Sequence, residues 1–222
     1  YGGKLQLKPK DFSDVGQAIV LSEEYKEFLR YSPSTDFLVY NGSFWEESKP
    51  KAQAIAQELT TRQLKEAEIE INNALNEMSD SGALDIVMEK GTKKAAKDFN
   101  EVQDESFKRY ESAMAYKKYV ITRRDSKKIS SALKEAQPML EILPKDLDID
   151  GFLLNTPKAT FDLRKGIDSK MDPNYSHFIT KQTSVNPNDK GMDKWLDAVD
   201  VFFCKDKSLI EYVQRIVGLA AI

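Results

Sequence analysis

Asp148 to Gly166 reads DIDGFLLNTPKATFDLRKG, and it sets the class of the fold. Across 146–163 the apolar residues Leu147, Ile149, Phe152 and Leu154 stand between polar positions, close to the two-residue period of a strand. Pro138 and Pro144 lie just upstream and break the helical pattern that dominates the preceding chain. A short sheet element is therefore predicted inside a chain that otherwise reads as helix. The class is α+β, predominantly α-helical with a small β-hairpin and a short sheet element.

Working outward toward the N-terminus, helical segments are predicted over about 126–137, 92–120 and 83–89. Before them a long helix opens at Pro50, with Leu64, Ala67, Ile71, Ala74, Leu75 and Met78 on one face, and closes at Ser79-Asp80-Ser81-Gly82. Further upstream, Phe37 to Tyr40, Asn41-Gly42 and Ser43 to Trp45 read as a β-hairpin with a tight primed turn, because Asn-Gly accepts positive φ between β-prone flanks. An amphipathic segment runs over Val15 to Leu29, and 1–35 takes no further assignment. Toward the C-terminus the chain returns to helix from Asp189. Trp195, Val199, Phe202 and Phe203 share one face, and Leu209, Val213, Ile216 and Val217 another, with Lys205-Asp206-Lys207 between the two helices.

The 222 residues suffice for one large domain or two small ones, and the net charge of −3 gives no global attraction to nucleic acid. A single cysteine, Cys204, excludes an intramolecular disulfide, and its apolar neighbours predict that it packs as a small hydrophobe. No apolar run is long enough for a membrane span, and no signal peptide opens the chain. A start at Tyr1 and an end just after GLAAI read as the cuts of a piece from a larger intracellular protein.

Most catalytic chemistries lack their residues. The ten glycines never fall five apart, so no P-loop is present and this chain by itself is not expected to hydrolyse ATP. His177 and Cys204 are too few for a zinc site. Asp146, Asp148, Asp150 and Gly151 copy the opening of a calcium loop, but its twelfth position is Pro157 instead of a bidentate Glu. Asp148 and Asp150 on a strand would share a face and imitate the carboxylates of a two-metal nucleotidyl transferase. That possibility stands as an alternative.

The charge is segregated along the chain. Lys90 to Lys128 holds twelve Lys or Arg against six acids, a balance of plus six, whereas 46–89 holds ten acids against four bases, a balance of minus six. Lys93, Lys94, Lys97, Lys117, Lys118, Arg123, Arg124, Lys127 and Lys128 are the candidate DNA-binding residues. Lys93/Lys97, Arg123/Lys127 and Arg124/Lys128 are spaced four apart, a repulsive arrangement on a helix that an anionic partner relieves. Tyr110, Tyr116 and Tyr119 interleave with them as candidates for stacking on bases of a single strand. The competing reading puts these charges against the acidic preceding helix and the tyrosines in the core.

The acidic-apolar strand, Asn155-Thr156-Pro157, Asp162-Leu163-x-x-Gly166, Ile179-Thr180-x-x-Thr183 and the Trp195 helix running on to Gln214 and Gly218 together resemble the linker domain of phage, plasmid and poxvirus-type primase-helicases. The family also has a strand pair with a Trp in its second strand, where Trp45 fits, but Thr156-Pro157-Lys158 stands where an Asn-Gly turn is frequent. The resemblance implies a linker domain over 36–188 and, over 189–222, a helical pair leading toward a superfamily 3 helicase core. It implies a non-catalytic replication module that supports ring assembly and DNA engagement, with single-stranded or forked DNA and further copies of the parent as partners, and no membrane. ATP and magnesium are expected for the missing helicase core and no cofactor for this chain. The implied setting is the cytoplasm of a bacterial host. A protein-interaction domain without DNA contact is the other alternative.

Overall fold

The computed structural model describes residues 6–166 and 168–219. In chain order the elements are α1 (Asp14–Tyr25), β1 (Leu29–Ser32), β2 (Asp36–Tyr40), β3 (Trp45–Glu47), α2 (Lys49–Asp80), α3 (Ala83–Lys90), α4 (Thr92–Ala95), α5 (Glu101–Arg123), α6 (Ser126–Leu140), β4 (Leu153–Asn155), β5 (Thr160–Asp162), β6 (Lys170–Met171), α7 (Met192–Phe202) and α8 (Lys207–Leu219). The strands form two small sheets, ordered β1-β2-β3 and β4-β5-β6. The mainly helical α+β class is thus what the sequence forms. Two compact units cut across sequence order: one gathers the described residues up to Tyr31 together with Ser48–Glu141, the other Ser32–Glu47 and the described residues from Ile142 onward.

The first unit is a helical bundle built on α2. Ser48 caps that helix by accepting from the Lys51 amide, Pro50 stands in its first turn, and Gly82, at φ 75°, follows its end. Its buried stripe runs through Ala52, Ala56, Leu59, Gln63, Ala67, Ala74 and Met78. Leu64, Ile71 and Leu75, predicted on the same face, flank the stripe half-buried. Helix α5 packs antiparallel on α2, since Arg109, Lys117 and Arg124 meet Glu77, Glu68 and Thr61 in reverse order. Ala67, Tyr116, Tyr119 and Val120 form one core cluster between them, and Met78, Ala83 and Phe107 another.

Two helix boundaries differ from expectation. The predicted helix over 92–120 breaks before α5, because the Asn100 side chain accepts from the Gln103 amide while the Gln103 side chain accepts from the Asn100 amide. This reciprocal capping box starts a new helix where residue periodicity alone sees continuity. Pro138 does not stop α6, which runs on to Leu140. Pro138 and Lys134, whose carbonyl loses its helical donor, are both exposed residues, where the loss of one helical bond costs less than it would in the core.

In the second unit, β2 and β3 pair with Tyr40 opposite Trp45, leaving four residues in the hairpin loop. The two-residue primed turn expected at Asn41-Gly42 does not form. Asn41 Oδ1 instead accepts from the amides of Ser43 and Phe44 at 2.9 and 3.0 Å, and only Gly42 in the loop takes a positive φ. Trp45 is buried against Leu38 and Ile142, with Phe178 stacked at 5.8 Å and its indole donating to the Tyr175 carbonyl at 2.8 Å.

The strand predicted from 146 begins only at Leu153, since 144–146 form a 3-10 turn and Asp148 takes a φ of 51°. Helix α7 starts at Met192, after a turn closed by Gly191 at φ 84°. Of the apolar faces expected on α7 and α8, Val199 is buried, as is Ile210 outside the expected set, while Trp195, Phe202, Leu209, Ile216 and Val217 are exposed. Cys204 is likewise exposed, at φ 50° in the turn after α7, instead of packing as a hydrophobe. Ala220 to Ile222, the end of the apolar GLAAI run, lie outside the described residues.

The unassigned N-terminal segment, past the undescribed residues 1–5, belongs to the helical bundle as far as Tyr31. Leu7 is buried; its amide donates to Glu66 at 3.2 Å and its carbonyl accepts from Gln63 Nε2 at 2.8 Å. The buried side chains of Gln63 and Gln17 exchange amide hydrogen bonds of 2.8 and 3.1 Å, and Tyr119 donates to Gln17 Oε1 at 3.2 Å. The bonds that join Gln17, Gln63, Tyr119 and the Leu7 carbonyl are shielded from water, so removing one partner exposes the desolvation cost of the others. Gln63→Leu is expected to destabilise by about 2–3 kcal/mol in urea denaturation. Adding Gln17→Leu is expected to cost much less than Gln17→Leu alone.

Candidate nucleic-acid interface

The residues that form the motifs in the second unit are fixed by hydrogen bonds to one another. Asp148 accepts from both the amide and the hydroxyl of Thr180. Asn155 donates to the carbonyls of Ser43 and Lys181 and accepts from the Thr160 hydroxyl at 3.0 Å. The Thr156 hydroxyl and amide both reach the Ala159 carbonyl, closing the turn between β4 and β5. The Ile179 carbonyl accepts from the Trp45 amide, and the Thr183 amide donates to the Asn155 carbonyl. The Arg164 guanidinium, 2.7 Å from Asp162, holds its carboxyl below the usual carboxylate range against the opposing effect of desolvation. The motifs are therefore tie points of a frame.

That geometry corrects the two-metal alternative. Asp148 lies outside any strand and faces Thr180, whereas Asp150 accepts from Phe152 N and pairs with Arg164 at 2.7 Å. The shared strand face that this chemistry needs is not formed. Among the described residues no group of three or more His, Cys, Asp and Glu is placed to hold a metal ion.

The basic block is divided by the length of α5. Its 23 residues span about 33 Å, with Lys93, Lys94 and Lys97 before its start, Lys117 and Lys118 along it, and Arg123, Arg124, Lys127 and Lys128 at its end. None of the three pairs spaced four apart lies within one helix, because α4 ends at Ala95 and a break separates Arg123 from Ser126. The predicted i,i+4 repulsion is therefore absent.

The nine candidates differ in how they are engaged. Lys117 pairs with Glu68 at 3.2 Å, and Arg124 donates to the Thr60 and Thr61 hydroxyls. Arg123 has only 8% of its side chain exposed; it pairs with Asp14, donates to the Phe12 carbonyl at 3.0 Å and lies 4.5 Å over the Tyr119 ring. Lys128 approaches the same Asp14 at 3.4 Å. Lys93, Lys94, Lys97, Lys118 and Lys127 are exposed and have no ion-pair partner among the described residues.

The stacking role expected of the tyrosines is not available to Tyr116 and Tyr119. Tyr116 and Tyr119 are buried in the core of the bundle, and Tyr110 packs on the cluster around Phe107. Burial pushes the Tyr119 hydroxyl up to about 12. The sequence signal misleads here because tyrosines at helical spacing between charges also describe a helix that buries its rings and leaves its charges at the rim.

A bundle with cations at both ends of α5 is thus joined in sequence to a sheet unit framed by its own motif residues. The model of the D5 N terminal like family matches residues 18–208, and the chain belongs to that family, the domain found in phage, plasmid and poxvirus primase-helicases. No curated protein and no solved structure matches the chain significantly. Among the described residues no helix is long and apolar enough to cross a membrane.

Asp14 joins the N-terminal segment to the cationic end of α5. Burial acts to raise its carboxyl, but the bonds and charges of Arg123 and Lys128 outweigh it and hold the group below its ordinary value. A carboxyl lowered in the folded state contributes stability that is complete above the unfolded Asp value near 4 and is lost as pH falls through the lower folded value. Asp14→Asn leaves the buried Arg123 without its carboxylate and is expected to destabilise by on the order of 2–4 kcal/mol at neutral pH. In acid denaturation it is also expected to flatten the loss of stability below about pH 4.

Proposed function

We propose that the chain is a non-catalytic replication module of a phage- or plasmid-type primase-helicase, supporting assembly of the helicase ring and offering cations to the DNA that approaches it. The family match across residues 18–208 carries this reading. The five lysines without ion pairs, Lys93, Lys94, Lys97, Lys118 and Lys127, supply its DNA-contacting surface. Lys127 favours an anionic partner further, because it stands in the first turn of α6, where the helix end already carries partial positive charge. Phosphates relieve that repulsion. The exposed Trp195, Phe202 and Ile216 of α7 and α8 support self-association of the parent protein. In this reading an adjoining helicase core hydrolyses ATP with magnesium as its metal cofactor.

Bonds from lysines to phosphate are independent of sequence and fall steeply with salt. Fluorescence anisotropy with forked DNA is expected to give salt-sensitive binding. Alanine at Lys93, Lys94, Lys97, Lys118 and Lys127 is expected to make the log–log salt slope shallower by about 0.9 for each phosphate left without its lysine, with the melting temperature unchanged. Arg123→Ala separates the two kinds of cation, since it is expected to lower the melting temperature through loss of the Asp14 pair. Binding that is absent, or unmoved by the five alanines, ends the DNA half of the reading.

A further inference from the structure

Directly opposed residues of antiparallel strands project to the same face of a sheet. Leu154, Phe161 and Lys170 are matched across β4, β5 and β6 and so share one face, while Asn155, Thr160 and Met171 share the other. Between the Phe161 face and the segment 184–188 lies a cleft of about 650 Å³. Asn186 fixes that segment to the turn between β4 and β5, its Oδ1 accepting from the Thr156 hydroxyl at 3.1 Å and from the Lys158 amide at 3.0 Å.

The walls of the cleft are chemically divided. Ala159 and Phe161 are buried at its floor, and Val185, 67% exposed, and Pro187 form an apolar wall. Lys158 and Lys170 stand exposed at its edge, have no ion-pair partner among the described residues, and face no Asp or Glu in the lining. An apolar trough bounded by two cations suits a ligand with an apolar, flat body and an anionic group beside it.

We propose that this cleft binds one or two nucleotides of a single DNA strand, with a base against Phe161, Val185 and Pro187 and the adjoining phosphates on Lys158 and Lys170. The choice of polymer rests on the replication reading above, but the residues are different ones and lie in the other unit. An acidic peptide satisfies the two lysines and leaves the apolar trough unfilled, so the nucleotide fits the lining better. The volume is within the range of roughly 300–1,000 Å³ usual for small-ligand sites.

The test is a thymidine tetranucleotide carrying 4-thiothymidine, irradiated with the full chain and titrated by anisotropy. Crosslinks are expected at Phe161 or within 184–188. Lys158→Ala with Lys170→Ala is expected to weaken binding about tenfold and make the salt slope shallower by about 1.4. Val185→Ser is expected to weaken it severalfold, and all these variants should melt like the parent chain. The five-lysine variant of the bundle should keep the tetranucleotide crosslink while its forked-DNA affinity falls and its salt slope becomes shallower, so the two proposals fail separately. Crosslinks elsewhere, or affinity unmoved by the double alanine variant, overturn the proposal. Competition by hexaglutamate as effective as that of unlabelled tetranucleotide overturns it too and assigns the cleft to acidic peptides.

Discussion

The helical bundle depends on polar groups that are buried together and must be satisfied together. Gln17, Gln63 and Tyr119 form a closed set of hydrogen bonds among α1, α2 and α5, and Gln63 extends it to the Leu7 carbonyl. Beside it, Arg123 is held between Asp14 and the Phe12 carbonyl. Leucines in these places would pack in many registers, whereas an amide pair and a buried guanidinium are satisfied in few. The alanine-rich stripe of α2 supplies close approach without much directional preference. The polar set supplies the direction.

That division explains why some parts of the chain are legible in its sequence and others are not. The long α2 can be read from its periodicity and from the Ser-Gly end at Ser81-Gly82, and Trp45 from the pattern around the hairpin. The break at Asn100 escapes such a reading because a capping box consists of two residues whose meaning lies in their mutual bonds, not in a shift of hydrophobic period. Alternation places the start of β4 too early because Asp148 satisfies itself on Thr180, distant in sequence, and takes a backbone conformation that no strand contains. The role of 7–14 is invisible in the sequence, since its partners lie on α2 and α5.

The candidate interface is legible as composition and obscure as geometry. Counting charges finds the cations of 90–128, and nothing in the count separates Arg123, sealed against Asp14, from Lys127, four residues on and exposed. Lys158 and Lys170 escape notice for the opposite reason. They are isolated in sequence, and only the pairing of Phe161 with Lys170 and the anchoring of Asn186 set them around one cleft. The family motifs read as marks of function, and in the structure those between Asp148 and Thr183 supply bonds that hold the sheet unit's frame in place.

The interleaving of the two units has a consequence for synthesis on the ribosome. Trp45 leaves the ribosome well before its partners, since its indole bonds to a carbonyl 130 residues later and its ring packs on Phe178. At translation rates of about 5–20 residues per second, that partner follows roughly 7–26 s behind. The helical stretch 48–141 is complete in the meantime, and its partners within residues 7–31 belong to chain already made. The nascent hairpin must therefore wait, with a large apolar ring uncovered, while an entire bundle emerges and closes after it.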